Sequence, residues 1–275
     1  RLIKKNMNKE ILELTDFLNK STVNDLSIIP WGAPIISFGN INTSKIATLG
    51  INPSNREFVD TNGIELNGNE RRFPTLNSLR LDSWQNINEN HLNAIHESCE
   101  EYFFRNPYDG WFKKLDYLIS GTSMSYYFPS SEACHLDLIP YATAEKWSSL
   151  SSKKQNQLLE LCSNTLASIL ENSSIEVLIL NGQTVVDNFQ KIADLELEKN
   201  IAQEWTLKRK STKDVTGYSY EGFVSKIGNK YLNRKIKVLG YNHNIQSSFG
   251  ITNEVNSSIR SWIKKKVNSV AYETK

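Results

Sequence analysis

Residues 45–54 read KIATLGINPS. A short apolar run from Lys45 to Ile51 stops at Asn52-Pro53-Ser54, and all three of these residues favour turns. The pattern predicts a buried β-strand that ends in a tight polar loop. Ile175–Leu180 (IEVLIL), which is followed by Asn181-Gly182, repeats the pattern and is the clearest buried strand of the chain.

Strands of this kind alternate along the chain with segments whose apolar residues recur at helical spacing. Two more strands are predicted at 133–139 (ACHLDLI) and 235–241 (KIKVLGY), and helices at about 8–20, 89–104, 110–119, 153–171, from 184 onward, and 254–268. Alternation of strands and helices predicts parallel pairing with helices on both faces of the sheet. We therefore expect one domain over residues 1–275, a three-layer α/β/α sandwich around a mostly parallel four-stranded sheet.

Composition and cysteine usage restrict the class of protein. With 275 residues, 39% hydrophobic and 23% charged, the chain can bury one sizeable core. No apolar run approaches the roughly 20 residues of a membrane span, and Arg1–Glu10 lacks the apolar segment of a secretory signal. Three scattered cysteines, Cys99, Cys134 and Cys162, argue against disulfides, a zinc site or a four-cysteine cluster. We expect a cytoplasmic protein without metal or cofactor.

Positive charge is concentrated in one segment. Between Trp205 and Lys237 there are nine Lys or Arg against two acids, a local charge of +7 in a chain whose net charge is +2. Five aromatic residues are interleaved with these cations. The segment predicts a basic insertion at about 203–234, a β-hairpin or loop, whose charge suits a phosphate backbone, although a merely solvated hairpin would show the same pattern.

Four predicted strands end in polar loops, at Asn52, Asp137, Asn181 and Asn242–Asn244. Ligands of open α/β sheets bind outside the carboxyl ends of the strands. The convergence of these four loops is therefore the main indication of a site that the residues themselves provide.

The ordered set of strand ends resembles the uracil-DNA glycosylase superfamily. Gly50–Ser54 (GINPS) is similar to the G-I-N-P-G motif of its mismatch-specific branch, and Arg71-Arg72-Phe73 to the Asn-Arg-Phe that follows there. His135–Pro140 (HLDLIP), Leu178–Val186 (LILNGQTVV) and Val238–Gly250 (VLGYNHNIQSSFG) then fall in the family's order. The resemblance extends from about residue 45 to 268, whereas GINPS taken alone also fits a plain turn.

The resemblance implies a monofunctional DNA glycosylase that flips a base out of DNA and hydrolyses its glycosidic bond. Asn52 would orient the attacking water, and His243, or else Asn242 or Asn244, would donate to the base carbonyl oxygen. Phe58 or Phe73 would stack on the base, although core packing also explains Phe73. Ile245 or Phe249 would be the apolar wedge, although Phe249 could instead pack beneath its loop. DNA contacts are expected from Ser54, Arg71, Arg72, Asn181, Gly182, Lys208, Arg209, Lys210, Ile245, Ser247, Ser248 and Phe249, in a protein that acts as a monomer.

Asp137 stands where uracil-reading members of the family carry Asn. A carboxylate pairs badly with uracil, but it accepts well from the N4 amine of cytosine. We therefore expect a cytosine-type base, whereas a buried Asp that caps a turn is the alternative. Related glycosylases remove bulky modified cytosines, such as glucosylated hydroxymethylcytosine, in defence against phages, and the 55–75 loop and the insertion could widen the pocket for such a group.

Three other interpretations stay open at this point. The chain could be a repair glycosylase for uracil or mismatched thymine. It could be a nucleic-acid-binding module that kept the fold and lost the chemistry, which the absence of His-Pro-Ser or Asn-Pro-Ser at 242–250 permits. It could also be an unrelated α/β hydrolase whose Asn-rich loops imitate the pattern.

Overall fold

The computed structural model describes residues 2–246 and 250–273. Eight α-helices are found within these ranges: α1 (Leu2–Leu18), α2 (Thr22–Asp25), α3 (Leu76–Leu79), α4 (Glu89–Glu100), α5 (Asp109–Ile119), α6 (Ser152–Glu171), α7 (Gln183–Ala193) and α8 (Asn253–Glu273). The strands within them are β1 (Ile46–Gly50), β2 (Ala133–Asp137), β3 (Val177–Asn181), β4 (Glu198–Ile201), β5 (Tyr218–Ile227) and β6 (Lys230–Tyr241).

The strands form one mixed sheet in the order β2-β1-β3-β6-β5-β4. β2, β1, β3 and β6 are parallel neighbours and are the four strands expected from the sequence. The expected strand count was wrong, because β5 and β4 add two antiparallel strands beyond β6 and make the sheet six-stranded. Residues 218–234, expected to lie in an insertion, form most of this extension, and β6 runs through the predicted boundary without a break.

The register of the strand pairing places the carboxyl ends of the parallel strands side by side at one end of the sheet. Gly50 at the end of β1 pairs with Asp137 at the end of β2, and Asn181 at the end of β3 pairs with Tyr241 at the end of β6. All five residues of β1, a central strand, are buried, and so are all five of β2, which lies at the edge of the sheet and carries His135 and Asp137. The loops that follow the parallel strands therefore meet at the same end of the sheet.

Helices cover the sheet and each other. α6 contacts β5 and β6, α7 contacts β3 and β5, and α5 packs against α8. Amphipathic patterning explains these contacts, since the buried residues of α5 (Phe112, Leu115, Leu118 and Ile119) fall on one side of the helix. None of the helices in the described residues is both long and apolar enough to cross a membrane.

Candidate functional site

A cavity of about 570 Å³ lies where β1 and β2 end; we call it the inner cavity. Its walls include the aromatic rings of Phe38, Trp111 and Phe112. Three buried ionisable residues, Glu57, His135 and Asp137, form its deep side, and Asn52, Ser54, Lys146 and Asn244 line its more exposed part. An apolar enclosure with a few polar groups at its base is typical of a small-molecule or base-binding pocket.

Asn52 follows β1, and its side-chain amide is held in one orientation. Nδ2 donates to Oγ1 of Thr143 at 3.0 Å and to the carbonyl oxygen of Tyr141 at 3.3 Å. The Thr143 hydroxyl donates to the carbonyl oxygen of Glu145, so its oxygen is an acceptor toward Asn52. These contacts surround the amide nitrogen, and no described residue donates to Oδ1 of Asn52. The arrangement leaves Oδ1 as an acceptor at the cavity.

Asp137 is positioned by a buried chain of polar groups. Its Oδ1 lies 3.3 Å from Nε2 of His135, and Nδ1 of that ring lies 2.7 Å from Oγ1 of Thr48, which also contacts the hydroxyl of Tyr126. A hydrogen on Nε2 lets the ring donate to Asp137 while Nδ1 accepts from Thr48. The chain holds the carboxyl group of Asp137, whose side chain is 4% exposed, against the end of β1.

Gly50 makes this position of Asp137 possible. A Cβ at Gly50 would lie 2.5 Å from Oδ1 of Asp137 and 2.9 Å from Nε2 of His135. Such distances are too short for any side chain, so only glycine allows the two buried groups to pack across the end of β1. The glycine of the GINPS motif therefore has a specific structural role in building the cavity.

Glu57 is the acidic residue that sequence analysis missed. It lies in a 3-10 turn (Asn55–Glu57) directly after the GINPS motif, and its side chain is 4% exposed. The hydroxyl of Tyr102 donates to its carboxyl oxygens at 2.9 and 3.0 Å, and Nε of Arg72 lies 3.8 Å from Oε2. Burial, with a smaller contribution from the Asp137 carboxylate, raises the pKa of Glu57 to about 7 against the lowering effects of Arg72 and Tyr102.

No protein-family model and no curated protein matches this chain. Its functional assignment therefore depends on the geometry of the site and on the motif resemblance described above.

The two rings expected to stack on a base lie in the core instead. Phe58 is 2% and Phe73 is 1% exposed. Phe58 packs against Trp31 and Phe73, and Phe73 is stacked on Tyr102 with ring centroids 5.2 Å apart. Because rings enclosed in this way have no face left for a base, the stacking prediction for Phe58 and Phe73 is wrong. The cavity walls offer Trp111, which is half-buried, in their place.

The loop after β6 also differs from expectation. His243 is buried, and its Nε2 donates to the carbonyl oxygen of Trp205 at 2.6 Å, so the ring cannot also donate to a base. Burial lowers the pKa of His243, and Arg209 lowers it further against the opposing effect of the Trp205 bond. Ile245 is 3% exposed, which contradicts a role as an exposed wedge. Ser247, Ser248 and Phe249 lie outside the described residues.

The two asparagines of this loop have different surroundings. Nδ2 of Asn242 donates to the carbonyl oxygen of Thr216, and its Oδ1 accepts from the amide nitrogen of Tyr218, so its side chain joins the loop to the sheet extension. These bonds occupy the groups that base recognition would need. Asn244 is exposed and lines the inner cavity, so it is the member of the predicted set that the structure brings to the site.

A second cavity of about 690 Å³, the outer cavity, adjoins the first and shares Asn52, Trp111 and Asn244 with it. Asn181 and Gly182, two residues for which the sequence predicts DNA contacts, line it. The amide of Asn181 donates to Oε1 of Gln246 and accepts from the hydroxyl of Tyr241. The described part of its lining, which also includes Trp147, Ser148 and Gln183, contains no ionisable side chain.

Only one end of the basic segment lies near the site. Arg209 reaches the loop after β6, since a Cβ at Gly250 would overlap its guanidinium group, and Lys208 and Lys210 are exposed beside it. Arg234, in contrast, donates to the carbonyl oxygens of residues 170, 173 and 175 at 2.9 Å each, at the end of α6. Lys237 is buried against Glu221. These two cations stabilise the fold and do not extend a phosphate-binding stripe.

The arginines of the 55–75 loop also differ in whether they bond within the protein or lie at its surface. Arg72 is 16% exposed in its side chain, donates to the carbonyl oxygens of Arg56 and Asn106, and lies beside Glu57. The prediction that Arg72 contacts DNA is therefore not supported, because its guanidinium group is used within the protein. Arg71 donates to Oδ1 of Asn67 on the surface of the same loop, and Ser54 is exposed at the inner cavity.

Two exposed lysines near the site were not foreseen. Lys113 and Lys114 on α5 line a surface groove with Asn253 and Asn256, and Nζ of Lys114 donates to the carbonyl oxygen of Gln246. The helical pattern of α5 indicated only its buried side. Among the described residues, no group of three or more His, Cys, Asp or Glu side chains is placed to hold a metal ion.

Proposed function

We propose that this protein is a monofunctional DNA glycosylase of the uracil-DNA glycosylase superfamily that removes a modified cytosine. The observation that carries the proposal is the inner cavity, in which buried carboxyl groups face an aromatic enclosure directly below Asn52. Base-excising enzymes need such a pocket, because the target atom of a stacked base is out of reach until the nucleotide is flipped out. The family's three-layer architecture, a monomeric state and a cytoplasmic location belong to the same proposal.

In this proposal, Asn52 positions the attacking water. Its Oδ1 accepts a hydrogen bond from the water, while the bonds from Nδ2 to Thr143 and Tyr141 prevent the amide from turning. The water oxygen bonds to C1′ of the sugar, and the C1′–N1 bond breaks with its electron pair on the base. A proton from the water is transferred to the departing base, which leaves an abasic site. An amide is no general base, so the rate depends on positioning and electrostatics.

Positively charged side chains at the inner cavity and around the loop after β6 would hold the DNA strand. Lys146 lines the inner cavity, and Lys113, Lys114 and Arg209 lie around the loop after β6. Their charges suit phosphates on both sides of a flipped nucleotide. The outer cavity, whose described residues provide indole, amide and hydroxyl groups but no ionisable side chain, suits a bulky neutral substituent such as a hexose on the base. That chemistry fits a role in defence against phages with modified DNA.

The test is an excision assay on duplexes that carry cytosine, hydroxymethylcytosine, glucosylated hydroxymethylcytosine, uracil or a mismatched thymine, followed by alkaline cleavage of abasic sites. We expect strand breaks with modified cytosine, and a loss of about 10²- to 10³-fold in Asn52→Ala because the water is no longer oriented. Asn62→Ala is the matched control, since Asn62 is exposed on the next loop and lines neither cavity.

Each other outcome selects a different function. Breaks with uracil alone would identify a uracil-type repair enzyme and contradict the interpretation of Asp137. Tight DNA binding without breaks on any substrate would identify a binding module. Unchanged excision by Asn52→Ala would show that another group positions the water.

A further inference from the structure

Two carboxyl groups line the inner cavity in different surroundings. Oδ1 of Asp137 is occupied by the imidazole of His135, and no described residue hydrogen-bonds Oδ2. Although the side chain as a whole is only 4% exposed, Oδ2 opens on the cavity, where a water molecule or a ligand can donate to it. Asp137 therefore presents an acceptor to the cavity.

Glu57 has the opposite character. Its only hydrogen-bond donor among the described residues is the hydroxyl of Tyr102, which also accepts from the amide nitrogen of Tyr108. The guanidinium group of Arg72 is 3.8 Å away and donates instead to two backbone carbonyl oxygens. A buried carboxylate with one hydrogen-bond donor and a single ion pair at 3.8 Å is only partly compensated, so protonation relieves the remaining cost of burial. Burial, with the charge of Asp137, raises the pKa of Glu57 to about 7, so the neutral acid is well populated at neutral pH.

We propose that Glu57, as a neutral acid, donates a hydrogen bond to the unprotonated ring nitrogen of the flipped base while Asp137 accepts from the neighbouring exocyclic amine. The inference rests on the proposed function and adds Glu57 as a specificity residue of the same site. Together the two side chains select a base edge with an amine beside an unprotonated nitrogen, as in N4 and N3 of cytosine.

Uracil and thymine present the reverse edge, with a carbonyl oxygen beside an N–H group. Their O4 would face the Asp137 acceptor, and their N3–H would face the proton of Glu57, so both buried groups would lose their partners. Sites that hydrogen-bond one edge reject the mismatched edge by large factors, and we expect at least roughly 10²-fold here. Adenine presents the same pair of groups as cytosine, an exocyclic amine (N6) beside an unprotonated ring nitrogen (N1). For this reason adenine is included in the test.

The donor bond from Glu57 would also assist bond cleavage. As the C1′–N1 bond breaks, negative charge spreads over the ring and onto N3, so a hydrogen bond at N3 strengthens along the reaction path. This contribution is the one expected from His243, whose imidazole faces Trp205 instead. The structure thus offers Glu57 in place of His243 for stabilising the leaving base.

The charged and titratable groups around Glu57 fix the expected pH dependence. Tyr102 and Arg72 contact it, Asp137 and His135 face it across the cavity from β2, and Lys146 lies at the exposed side. Burial raises the pKa of Glu57 to about 7 and raises that of Tyr102 well above its usual value. Binding of a cytosine-type base should therefore be strongest below pH 7 and weaken about tenfold per pH unit above it.

The test measures binding separately from chemistry. Duplexes with a 2′-fluoro nucleotide, which resists glycosidic hydrolysis, carry 5-hydroxymethylcytosine, cytosine, uracil or adenine, and dissociation constants are measured from pH 5.5 to 9. We expect wild-type protein to prefer the cytosine-type bases and to lose that preference as pH rises. Glu57→Gln should bind them independently of pH, since an amide donates without titrating. Asp137→Asn should shift the preference toward uracil by at least 10-fold. Glu70→Gln, at an exposed acid of the same loop, is the matched control.

Failure of this inference differs from failure of the proposed function. Excision of modified cytosine with a pH profile that Glu57→Gln leaves unchanged would overturn the role of Glu57 and keep the glycosylase. A uracil preference in the wild type would overturn the edge selection. Neither excision nor base-dependent binding at any pH would overturn both proposals.

Discussion

Replacing Gly50 with alanine tests how the deep side of the inner cavity is built. The added Cβ would lie 2.5 Å from Oδ1 of Asp137 and 2.9 Å from Nε2 of His135. Ordinary contact begins at 3.4 Å, so the carboxyl group must retreat by about 1 Å. Both strands that carry these groups are fully buried, so the carboxyl group can retreat mainly into the inner cavity, which changes the shape of its deep side.

Overpacking of this kind costs about 1–3 kcal/mol of unfolding free energy. For a chain of this size, 2 kcal/mol corresponds to a fall in Tm of roughly 4–8 °C. A displacement of about 1 Å in Asp137 should also lower excision about 10²-fold, because the base would no longer be held in the reactive position. The combination of a moderate loss of stability with a large loss of activity is the expected signature.

Thermal denaturation and the excision assay measure the two effects in one preparation. Gly110→Ala is the control, since a Cβ there meets no atom within 4 Å and the residue lies in α5, where alanine is favoured over glycine. That variant should be as stable as wild type or slightly more stable, with full activity. If Gly50→Ala kept both wild-type Tm and wild-type excision, the close packing of Asp137 and His135 against the end of β1 would be refuted.

Three other predictions follow from the structure. Replacing residues 208–210 with alanine should make DNA binding less sensitive to salt: the slope of the logarithm of the binding constant against the logarithm of the salt concentration should decrease in magnitude by up to about 3, with the base preference unchanged. Lys226→Ala, on the distant hairpin, is the control and should leave this slope unchanged. The unfolding free energy should fall by at most a few kcal/mol as the pH rises from 4.5 to 7 and should level off above pH 7, because Glu57 binds its proton more tightly in the folded state than in the unfolded state. Denaturant titrations at several pH values measure this dependence, and Glu57→Gln should remove it. Arg234→Ala should lower Tm by several degrees, since it leaves three backbone carbonyl oxygens near the end of α6 without their donor, and an unchanged Tm would count against that role.

Local patterns account for what the sequence predicted well. The four parallel strands and the helices between them depend on short-range periodicity, and the structure has them within a few residues of the expected bounds. The position of Asn52 and Asp137 at one edge followed from the rule that parallel strands end together. Neither conclusion required knowledge of any long-range contact.

The features that could not be predicted from the sequence depend on contacts between residues far apart in the chain. Glu57 lies in a polar stretch, and its burial depends on Tyr102, 45 residues away, and on the return of the loop through Arg72. The segment at 203–234 was predicted as an inserted β-hairpin or loop; β5 and β6 do form a hairpin, but its place in the main sheet and the additional strand β4 were not predicted. The available signal for Glu57 was the length of the 55–75 loop, which indicates function without naming the residue.

The loop after β6 shows why a motif alone is a weak guide to residue roles. Its histidine stands where the motif resemblance predicts a donor to the base, yet the ring donates to Trp205, and Asn242 is bonded to Thr216 and Tyr218. These bonds attach the loop to the sheet extension and bring Arg209 against Gly250, so the extension supports the loop and places charge beside it. A site that uses its loop histidine in this way must take its contacts to the base from elsewhere. Since the remaining buried polar groups of the inner cavity come from the 55–57 turn and β2, base selection and leaving-group stabilisation are both expected to depend on that side of the cavity.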